Sequence, residues 1–556
     1  MEPEFNLCEE NWICLLGKNG AVSELSLPEA LIHAHEYVDI RGEMPAQDIA
    51  VLRLLLAVLH TVFSRVNAAG EEAPIERPKD ARNRWETLWR LGKLPEEPIR
   101  NYLNEWRDRF WLFHEERPFW QVNEAELGTK YEAAKLNGEI SESSNKVRLF
   151  SAYSGESKQE LSCAQAARWL LYINGYDDTS AKPKGKELPS PGAGWLGKLG
   201  LITAVGKNLF ETLMLNLTLL KDGTELWEEE DFPVWEREKP RAGERTEIAL
   251  PENQAELLTL QSRRLLLVRN KEKVTGVRVL GGDFFAKEFA FSEQMTVWRA
   301  VKEKKDRPPV FQPRRHDPAK QMWRDFGAVF PSDRNQGKEA VRNPGVVCWN
   351  EEITRMLGRK ELVRFRVTSM HYGDKDFFVD DSFADQLSFH AQLLTEAGAE
   401  WRERIAGEVE RCRKLSEVIG YFAQDLDKAG GGDGKPEIAE KARAAFYERV
   451  DIPFRGWLQR IDPETGGEQA EQITDLWLEE ERRIAKRLGR ELVAEAGDRA
   501  YMGRKRKEKI KGADAEIVYT APGAYERLLR NIRRLLGDTR GEGIRDTGEE
   551  TVGTGA

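Results

Sequence analysis

The chain is 556 residues long, with 32% charged residues, 40% hydrophobic residues and a formal net charge of −10. A chain of this length can bury a sizeable core without disulfides or metal ions. Its five scattered cysteines form no CxxC pair, which argues against a disulfide framework or a thiolate zinc site. No stretch reaches the ~20 consecutive apolar residues of a membrane span, and the acidic start is unlike a secretory signal. We therefore expect a cytoplasmic protein with no membrane association.

The net charge conceals two basic segments. Residues 302–324 contain eight basic and three acidic side chains, and residues 501–540 contain eleven basic and five acidic ones. Because phosphate backbones attract Lys and Arg, basic segments on an acidic body fit a protein that contacts a polyanion at selected places. For either segment alone, solvated helix faces are the simpler explanation.

Hydrophobic periodicity predicts helices mixed with short strands in the first 380 residues. Helices are expected at residues 48–63, 99–116 and 207–220. Strands are expected at residues 265–268, 277–280 and 361–368. The first helix is apolar on nearly all sides, which predicts a central buried element. The last strand alternates apolar residues with Arg364 and Arg366, so one of its faces is expected to be buried and the other basic.

After about residue 380, long segments rich in Ala, Leu, Glu, Arg and Lys predict helices joined by short connections. These helices are expected at residues 384–428, 436–460, 467–497 and 521–537. The sequence therefore predicts an α+β protein, with a large mixed α/β N-terminal domain with short strands at 1–380 and a C-terminal four-helix bundle at 381–540. Residues 541–556 lack apolar spacing and are expected to be disordered.

One glycine-rich segment, residues 192–197, matches the pattern GxGxxG. A dinucleotide-binding fingerprint needs a buried strand directly before the first glycine, but Pro189 and Pro191 stand where that strand would be. Two interpretations stay open. The segment is either a plain flexible loop or a loop whose bare backbone approaches a ligand or a nucleic-acid groove, because glycine has no Cβ.

The sequence contains no convincing catalytic set. His316 and Asp317 form an HD pair without a second histidine at ligand spacing. The aspartates between residues 374 and 381 crowd one turn, which a solvated turn explains best. Basic segments and a glycine loop without catalytic residues favour a subunit of an assembly over an enzyme.

A series of short motifs extends over nearly the whole chain. In chain order they lie at residues 5–7, 11–13, 25–27, 117–121, 145–150, 192–197, 232–236, 372 and 442–458. None is diagnostic alone, but in this order they resemble the CasA family. CasA is the large subunit of the type I-E CRISPR RNA-guided surveillance complex, Cascade.

This resemblance implies a non-catalytic subunit without a cofactor. Such a subunit recognises the protospacer-adjacent motif (PAM) of foreign double-stranded DNA through the minor groove, promotes strand separation and R-loop formation, and recruits a helicase-nuclease. Its other implied partners are the 5′ end of the guide RNA and the backbone and small subunits of Cascade. The minor groove is narrow and its hydrogen-bonding code is degenerate, so a loop without bulky side chains suits it.

Four residues are implied to contact the PAM. Gly192, Ala193 and Gly194 match the family loop that lies against the PAM in the minor groove. Lys287 matches the lysine that reaches into the same groove.

A wedge and an RNA-docking loop are also implied. The wedge corresponds to Asp374, Lys375, Asp376 and Phe377, where the family's usual glutamine is absent. Phe377 is then expected to unstack a base step, as inserted apolar side chains do in other systems. Asn145 and Phe150 match the loop that docks on the 5′ end of the guide RNA. Some relatives have zinc-binding cysteines in the region that matches 270–285, and this chain has none there, so no metal is expected.

Two other functions stay open. A metal-dependent nuclease could use His316, Asp317 and the carboxylates at 374–381. Alternatively, a purely architectural subunit could bind RNA through its basic tail. The nuclease would cleave DNA without partners, and the architectural subunit would not distinguish an intact PAM from a scrambled one.

Overall fold

The computed structural model describes residues 3–142, 153–179, 190–228, 230–238, 247–248, 253–285, 293–301, 310–330, 342–510 and 513–537. The chain divides into two compact units. The first contains Met1–Leu387 and Leu394–Glu396, and the second contains Ser388–Leu393 and Ala397–Ala556. The tail expected to be disordered, 541–556, lies outside the described residues.

The first unit mixes helices with short strands, as predicted. Its described helices are α1 (Leu27–Ile32), α2 (Pro45–Arg65), α3 (Pro78–Leu91), α4 (Glu96–Glu105), α5 (Ala133–Leu136), α6 (Cys163–Tyr176), α7 (Leu209–Asn216), α8 (Gln254–Leu258), α9 (Phe326–Val329) and α10 (Gly345–Leu357). Its described strands are β1 (Glu4–Asn6), β2 (Ile13–Gly17), β3 (Val22–Leu25), β4 (Tyr37–Ile40), β5 (Trp111–Phe113), β6 (Thr129–Glu132), β7 (Leu201–Val205), β8 (Glu247–Ile248), β9 (Arg263–Asn270), β10 (Lys273–Gly281), β11 (Phe284–Phe285), β12 (Trp298–Val301), β13 (Val310–Pro313), β14 (Leu362–Tyr372) and β15 (Val379–His390), which continues into the second unit.

These strands form several small sheets. Three-stranded sheets have the orders β3–β2–β4, β6–β10–β9 and β15–β14–β7. Two-stranded pairs are β1–β5, β12–β13 and β8–β11, of which the last is parallel. The predicted domain boundary at residue 380 falls inside β15.

Helix α2 is the central helix of the first unit, as its composition predicts. Pro45 occupies its first turn, where a missing N–H costs nothing. Among the described residues, α2 is the one helix whose length and composition would allow it to cross a membrane. However, 94% of its most apolar 18-residue stretch is buried inside the protein. Its one buried guanidinium, Arg53, forms an ion pair with Glu293 at 2.9 Å, so the charge is compensated within the core.

Local patterns predicted several strands well and one helix poorly. Strands β9, β10 and β14 are found where alternation placed them, and β14 buries Val363 and Phe365 while exposing Arg364. The helix predicted at 99–116 is wrong beyond α4. Residues Trp111–Phe113 form β5, because they pair with β1 near the start of the chain.

The described residues of the second unit form four long helices and a β-hairpin. They are α11 (Ala399–Gly430), α12 (Pro436–Arg460), α13 (Gly467–Met502), β16 (Arg504–Ile510), β17 (Ala513–Tyr519) and α14 (Ala521–Leu536). Helix α11 packs against the other three helices. The α+β fold class is thus confirmed, but residues 384–390 form the end of β15 instead of a helix, and the hairpin was not predicted.

Candidate nucleic-acid interface

Two glycines of the glycine loop (residues 192–197) are needed for packing inside the protein. A Cβ on Gly194 would lie 2.4 Å from the backbone oxygen of Gly175, and a Cβ on Gly197 would lie 2.0 Å from the Tyr372 hydroxyl. Both distances are far shorter than van der Waals contact. The loop therefore lacks side chains here because helix α6 and strand β14 approach its backbone.

A buried set of charges holds the loop from below. The Arg263 side chain is 1% exposed, and its Nη2 donates to the Gly192 carbonyl at 2.5 Å. Its Nε donates to Asp177 Oδ2 at 2.6 Å. Beside this pair, Lys135 Nζ donates to Asp178 Oδ2 at 2.5 Å. Two cations and two carboxylates balance, so this cluster fixes the loop without leaving net charge in the interior.

The glycine loop is less exposed than the sequence suggested. Ala193 is 2% exposed, Gly194 is buried, and Gly192 alone among the three is partly accessible. Trp195, which follows them, is 6% exposed and donates from Nε1 to Glu293 at 3.1 Å. The expectation of an exposed turn is therefore wrong for Ala193 and Gly194. The Trp195 side chain is buried and bonded to Glu293, so the backbone before it packs against the core.

The residues predicted to form a wedge, 374–377, lie at the tip of the β14–β15 hairpin. Lys375 and Asp376 have positive φ angles of 54° and 58°, a conformation that non-glycine residues adopt only when neighbouring groups hold it. Thr179 provides that support, since its backbone N–H donates to the Asp376 carbonyl at 2.9 Å and its hydroxyl donates to the Lys375 carbonyl at 3.0 Å. The tip is thus a constrained turn.

The side chains at the tip differ in their surroundings. Asp374 and Lys375 are exposed, and the Phe377 ring is 53% exposed. A large apolar side chain that stays in water at a constrained turn is available to contact a partner. The side chain of Asp376 is turned inward to Arg315.

Arg315 connects the tip to the glycine loop. Its Nη1 and Nη2 donate to the two carboxylate oxygens of Asp376 at 2.7 and 2.8 Å, and its Nε donates to the Gly197 carbonyl at 2.5 Å. The guanidinium carbon also lies 4.8 Å from the centre of the Tyr372 ring. Burial opposes the charged form of Arg315, but the hydrogen bonds and charge of Asp376 outweigh it and raise the pKa of Arg315.

The glycine loop and the hairpin tip therefore form one site, which we call the loop–hairpin site (residues 192–197, 371–378, Thr179 and Arg315). Tyr372 adds a further link, since its buried hydroxyl donates to the Tyr176 carbonyl at 2.7 Å. Pairing with Arg315 also offsets the negative charge of the Asp376 carboxylate, whereas the carboxylate of Asp374 is exposed.

Other predicted contact residues lie outside the described part of the chain. They are Lys287, Asn145 and Phe150. Their roles stay predictions from the resemblance.

The HD pair has structural roles in the described conformation. His316 Nε2 lies 3.0 Å from the Leu201 carbonyl oxygen, and burial lowers the pKa of His316 to about 4. Asp317 Oδ1 accepts a hydrogen bond from the Ala319 backbone at 3.0 Å. No group of three or more His, Cys, Asp or Glu residues in the described ranges could hold a metal ion.

Sequence reasoning missed the residues that organise the site. Arg315 was counted only as part of the basic segment 302–324, and Thr179 was not singled out. Arg314, which precedes Arg315 in the sequence, also forms an ion pair within the chain, with Asp325 at 3.0 Å. Nothing in the local sequence distinguishes a solvated arginine from one that binds a carboxylate about sixty positions away.

Comparison with known proteins gives a consistent result. A family model described as CRISPR-associated protein Cse1 matches residues 6–488. The CasA/Cse1 protein of Thermus thermophilus is 32% identical over 501 residues, covering 86% of this chain and 90% of that protein.

Solved structures agree over almost the entire length. Thermobifida fusca Cse1 has a TM-score of 0.81 at 28% identity, covering 96% of this chain and 98% of that one. Acidimicrobium ferrooxidans Cse1 has a TM-score of 0.75 at 25% identity, covering 97% and 100%. A chain of a CRISPR RNA-guided surveillance complex shares the fold, with a TM-score of 0.69 at 16% identity, covering 96% and 100%.

Proposed function

The chain belongs to the CRISPR-associated Cse1 (CasA) family, the large subunit of the Cascade surveillance complex, and on this premise we propose that it recognises the PAM of foreign double-stranded DNA. We propose that it reads the PAM through the minor groove, starts strand separation beside it, promotes R-loop formation and recruits the helicase-nuclease. Base pairing with the guide would then read the remaining sequence, as in another RNA-guided effector.

The observation that carries this proposal is the loop–hairpin site. Arg315 fixes the hairpin tip against the glycine loop through three hydrogen bonds. The tip then presents Phe377 and Lys375 to solvent from a backbone that Thr179 constrains. A pre-organised apolar side chain beside a cation suits a wedge. Unstacking a base step costs a few kcal/mol of binding free energy, so a tip that is already ordered avoids a further cost.

Burial divides the work within the glycine loop. Gly192 is its accessible glycine, and with Lys287 we propose it as a groove contact. We assign Ala193 and Gly194 a supporting role, because their atoms pack against the interior. Gly194 lacks a Cβ because the backbone of Gly175 packs against it. It would affect DNA recognition only by fixing the position of Gly192.

The remaining partners follow from the family. We propose that Asn145 and Phe150 dock on the 5′ end of the guide RNA, that other surfaces meet the backbone and small subunits, and that the chain works in the cytoplasm without catalysis of its own. A nuclease gains no support from the described residues, where the HD pair is engaged in backbone contacts.

The direct experiment uses the chain assembled with its guide RNA and partner subunits. Binding is measured on a duplex with the PAM, on the same duplex with a scrambled PAM, and on a target with the strands already separated. Lys287→Ala is expected to weaken binding to the PAM duplex by about tenfold, the effect of losing one charge-assisted hydrogen bond, and to spare the pre-melted target. Lys273→Ala, an exposed lysine on β10, is the matched control.

Two outcomes would oppose the proposal. Equal affinity of the unmodified complex for intact and scrambled PAMs would favour an architectural subunit. Cleavage of labelled DNA by the purified chain with Mg²⁺ or Mn²⁺ would favour the nuclease.

A further inference from the structure

The first unit contains a second group of arginines, none of which is among the residues assigned to DNA. A cavity of about 50 Å³ lies beside the motif at 117–121, which the proposed function does not use. The side chains that matter there are three arginines, one amide and two indoles: Arg109, Arg117, Arg237, Gln261, Trp120 and Trp235.

Two of these arginines form no ion pair in the part of the chain that the structure describes. Arg237 forms an ion pair with Glu256 at 3.0 Å, but Arg109 and Arg117 pair with no carboxylate among the described residues. Burial and the positive charge of Arg117 lower the pKa of Arg109, although Asp108 opposes the change. Two half-buried guanidiniums that repel each other form a site that an anion would stabilise.

Trp120 gives a second, independent indication. Its backbone has a φ of 60°, a conformation that costs a bulky residue of the order of 1–2 kcal/mol. Its side chain is 7% exposed, and Nε1 is buried with no acceptor in the described part of the chain. Buried indole N–H groups usually find an acceptor, and strain at a bulky residue points to a function.

We propose that this cavity binds a phosphate group. Guanidiniums recognise phosphate oxygens with paired N–H donors, and Gln261 and Trp120 are also among the residues that line the cavity. The volume exceeds what a single water needs several times over, so it leaves room for one tetrahedral oxyanion. The phosphate belongs either to a nucleic-acid strand or to a free phosphate or nucleotide. This inference does not depend on PAM recognition.

Isothermal titration of the full-length chain distinguishes the sources. Inorganic phosphate, a short single-stranded RNA and a DNA strand of the same sequence are titrated separately. We expect the joint substitution Arg109→Ala and Arg117→Ala to weaken phosphate binding by about tenfold or more. Arg77→Ala removes an exposed arginine that pairs with Asp80 at 3.0 Å and is the control.

Thermal unfolding provides a readout that a structural role would not mimic. Phosphate should raise the Tm of the unmodified chain and of Arg77→Ala, because a ligand that binds only the folded state stabilises it, and it should leave the Tm of the double variant unchanged. A strand that binds more tightly than inorganic phosphate identifies a nucleic-acid backbone, and the reverse identifies free phosphate. Failure of the unmodified chain to bind any of the three, or equal binding by the double variant and the control, would overturn the proposal.

Discussion

Two buried carboxyl groups, one in each unit, have different surroundings. Beside the glycine loop, Asp177 faces Arg263 at 2.6 Å. Between α11 and α13 of the second unit, Glu481 is 0% exposed and forms no ion pair with a described residue, although the Cys412 thiol lies near its carboxyl group. Burial raises the pKa of Glu481 to about 7, with the charge of nearby Glu408 adding to the rise and Cys412 and Arg411 opposing it.

The difference shows two ways in which this chain uses a buried or partly buried carboxyl group. In and beside the loop–hairpin site, Asp376 and Asp177 form ion pairs with Arg315 and Arg263, and each pair fixes one backbone segment against another. In the second unit the Glu481 carboxyl group is kept by burial close to neutrality, so its ionisation opposes packing of the helices. We therefore expect the ion pairs to fix the positions of backbone segments. We expect Glu481 to make the stability of the folded chain depend on pH.

The largest effect should come from filling the space at a glycine. Gly194→Asp places a side chain 2.4 Å from a backbone oxygen and adds an unpaired charge, so it should lower the free energy of unfolding by about 3 kcal/mol or more. Gly327→Ala, where no atom lies within 4 Å of the added Cβ, is the control and should change little. Equal Tm values for the two variants would show that the loop is not packed as described.

Glu481→Gln should change the pH dependence of the free energy of unfolding. The expected change is slightly smaller than the effect of Gly194→Asp. Because the folded-state pKa is raised from 4.5 to about 7, Glu481 contributes most to stability below pH ~4.5, and this contribution is lost as the pH rises through 7. The loss amounts to about 3 kcal/mol. The Gln variant should lack this decline and be the more stable protein at pH 8, as urea unfolding at several pH values would show.

The matched control for this experiment is Glu479→Gln, an exposed position on the same helix. It should keep the pH profile of the unmodified chain. If Glu481→Gln kept that profile too, the Glu481 carboxyl group would ionise normally, and the contrast between the two units would disappear.

The Arg315–Asp376 pair should show measurable coupling. A double-mutant cycle with Arg315→Ala and Asp376→Ala should give about 1–2 kcal/mol, a value typical of contacting charges with paired hydrogen bonds. The second cycle, on Arg77 and Asp80, tests an exposed pair and should give less than about 1 kcal/mol. Similar values for both cycles would place Arg315 among ordinary surface arginines.

Elements defined by nearby residues were predictable from the sequence. Helix α2 follows from one long apolar stretch, β14 from strict alternation, and α12, Pro436–Arg460, from its composition. Elements defined by distant partners were not. Strand β5 depends on β1, and β16 is so rich in Lys and Arg that its composition conceals its pairing with β17.

The candidate site shows the same division. The glycine pattern drew attention to residues 192–197, but its cause, the approach of Gly175 and Tyr372, is tertiary. Sequence also placed Phe377 at a turn. It could not show that Arg315 joins that turn to the loop, because the two partners of Arg315 lie on opposite sides of it in the sequence and far from it.

Phe377→Ala should have the smallest effect on stability. The ring is 53% exposed, so its loss should change the free energy of unfolding by less than about 0.5 kcal/mol. Tm measurements should distinguish Phe377→Ala from Phe389→Ala, because Phe389 is a fully buried ring on β15. Loss of such a core ring costs about 3–5 kcal/mol. A large loss of stability in Phe377→Ala would show that the Phe377 ring is packed in the core.

Strand separation beside the PAM can be observed directly with 2-aminopurine at the first base step of the target, whose fluorescence rises when the base unstacks. The assembled complex with an intact Phe377 and Arg315 should give this rise on a PAM duplex. Phe377→Ala and Arg315→Ala should each reduce it, while binding to a pre-melted target is retained. An undiminished rise in both variants would contradict a wedge at the hairpin tip that Arg315 holds in place.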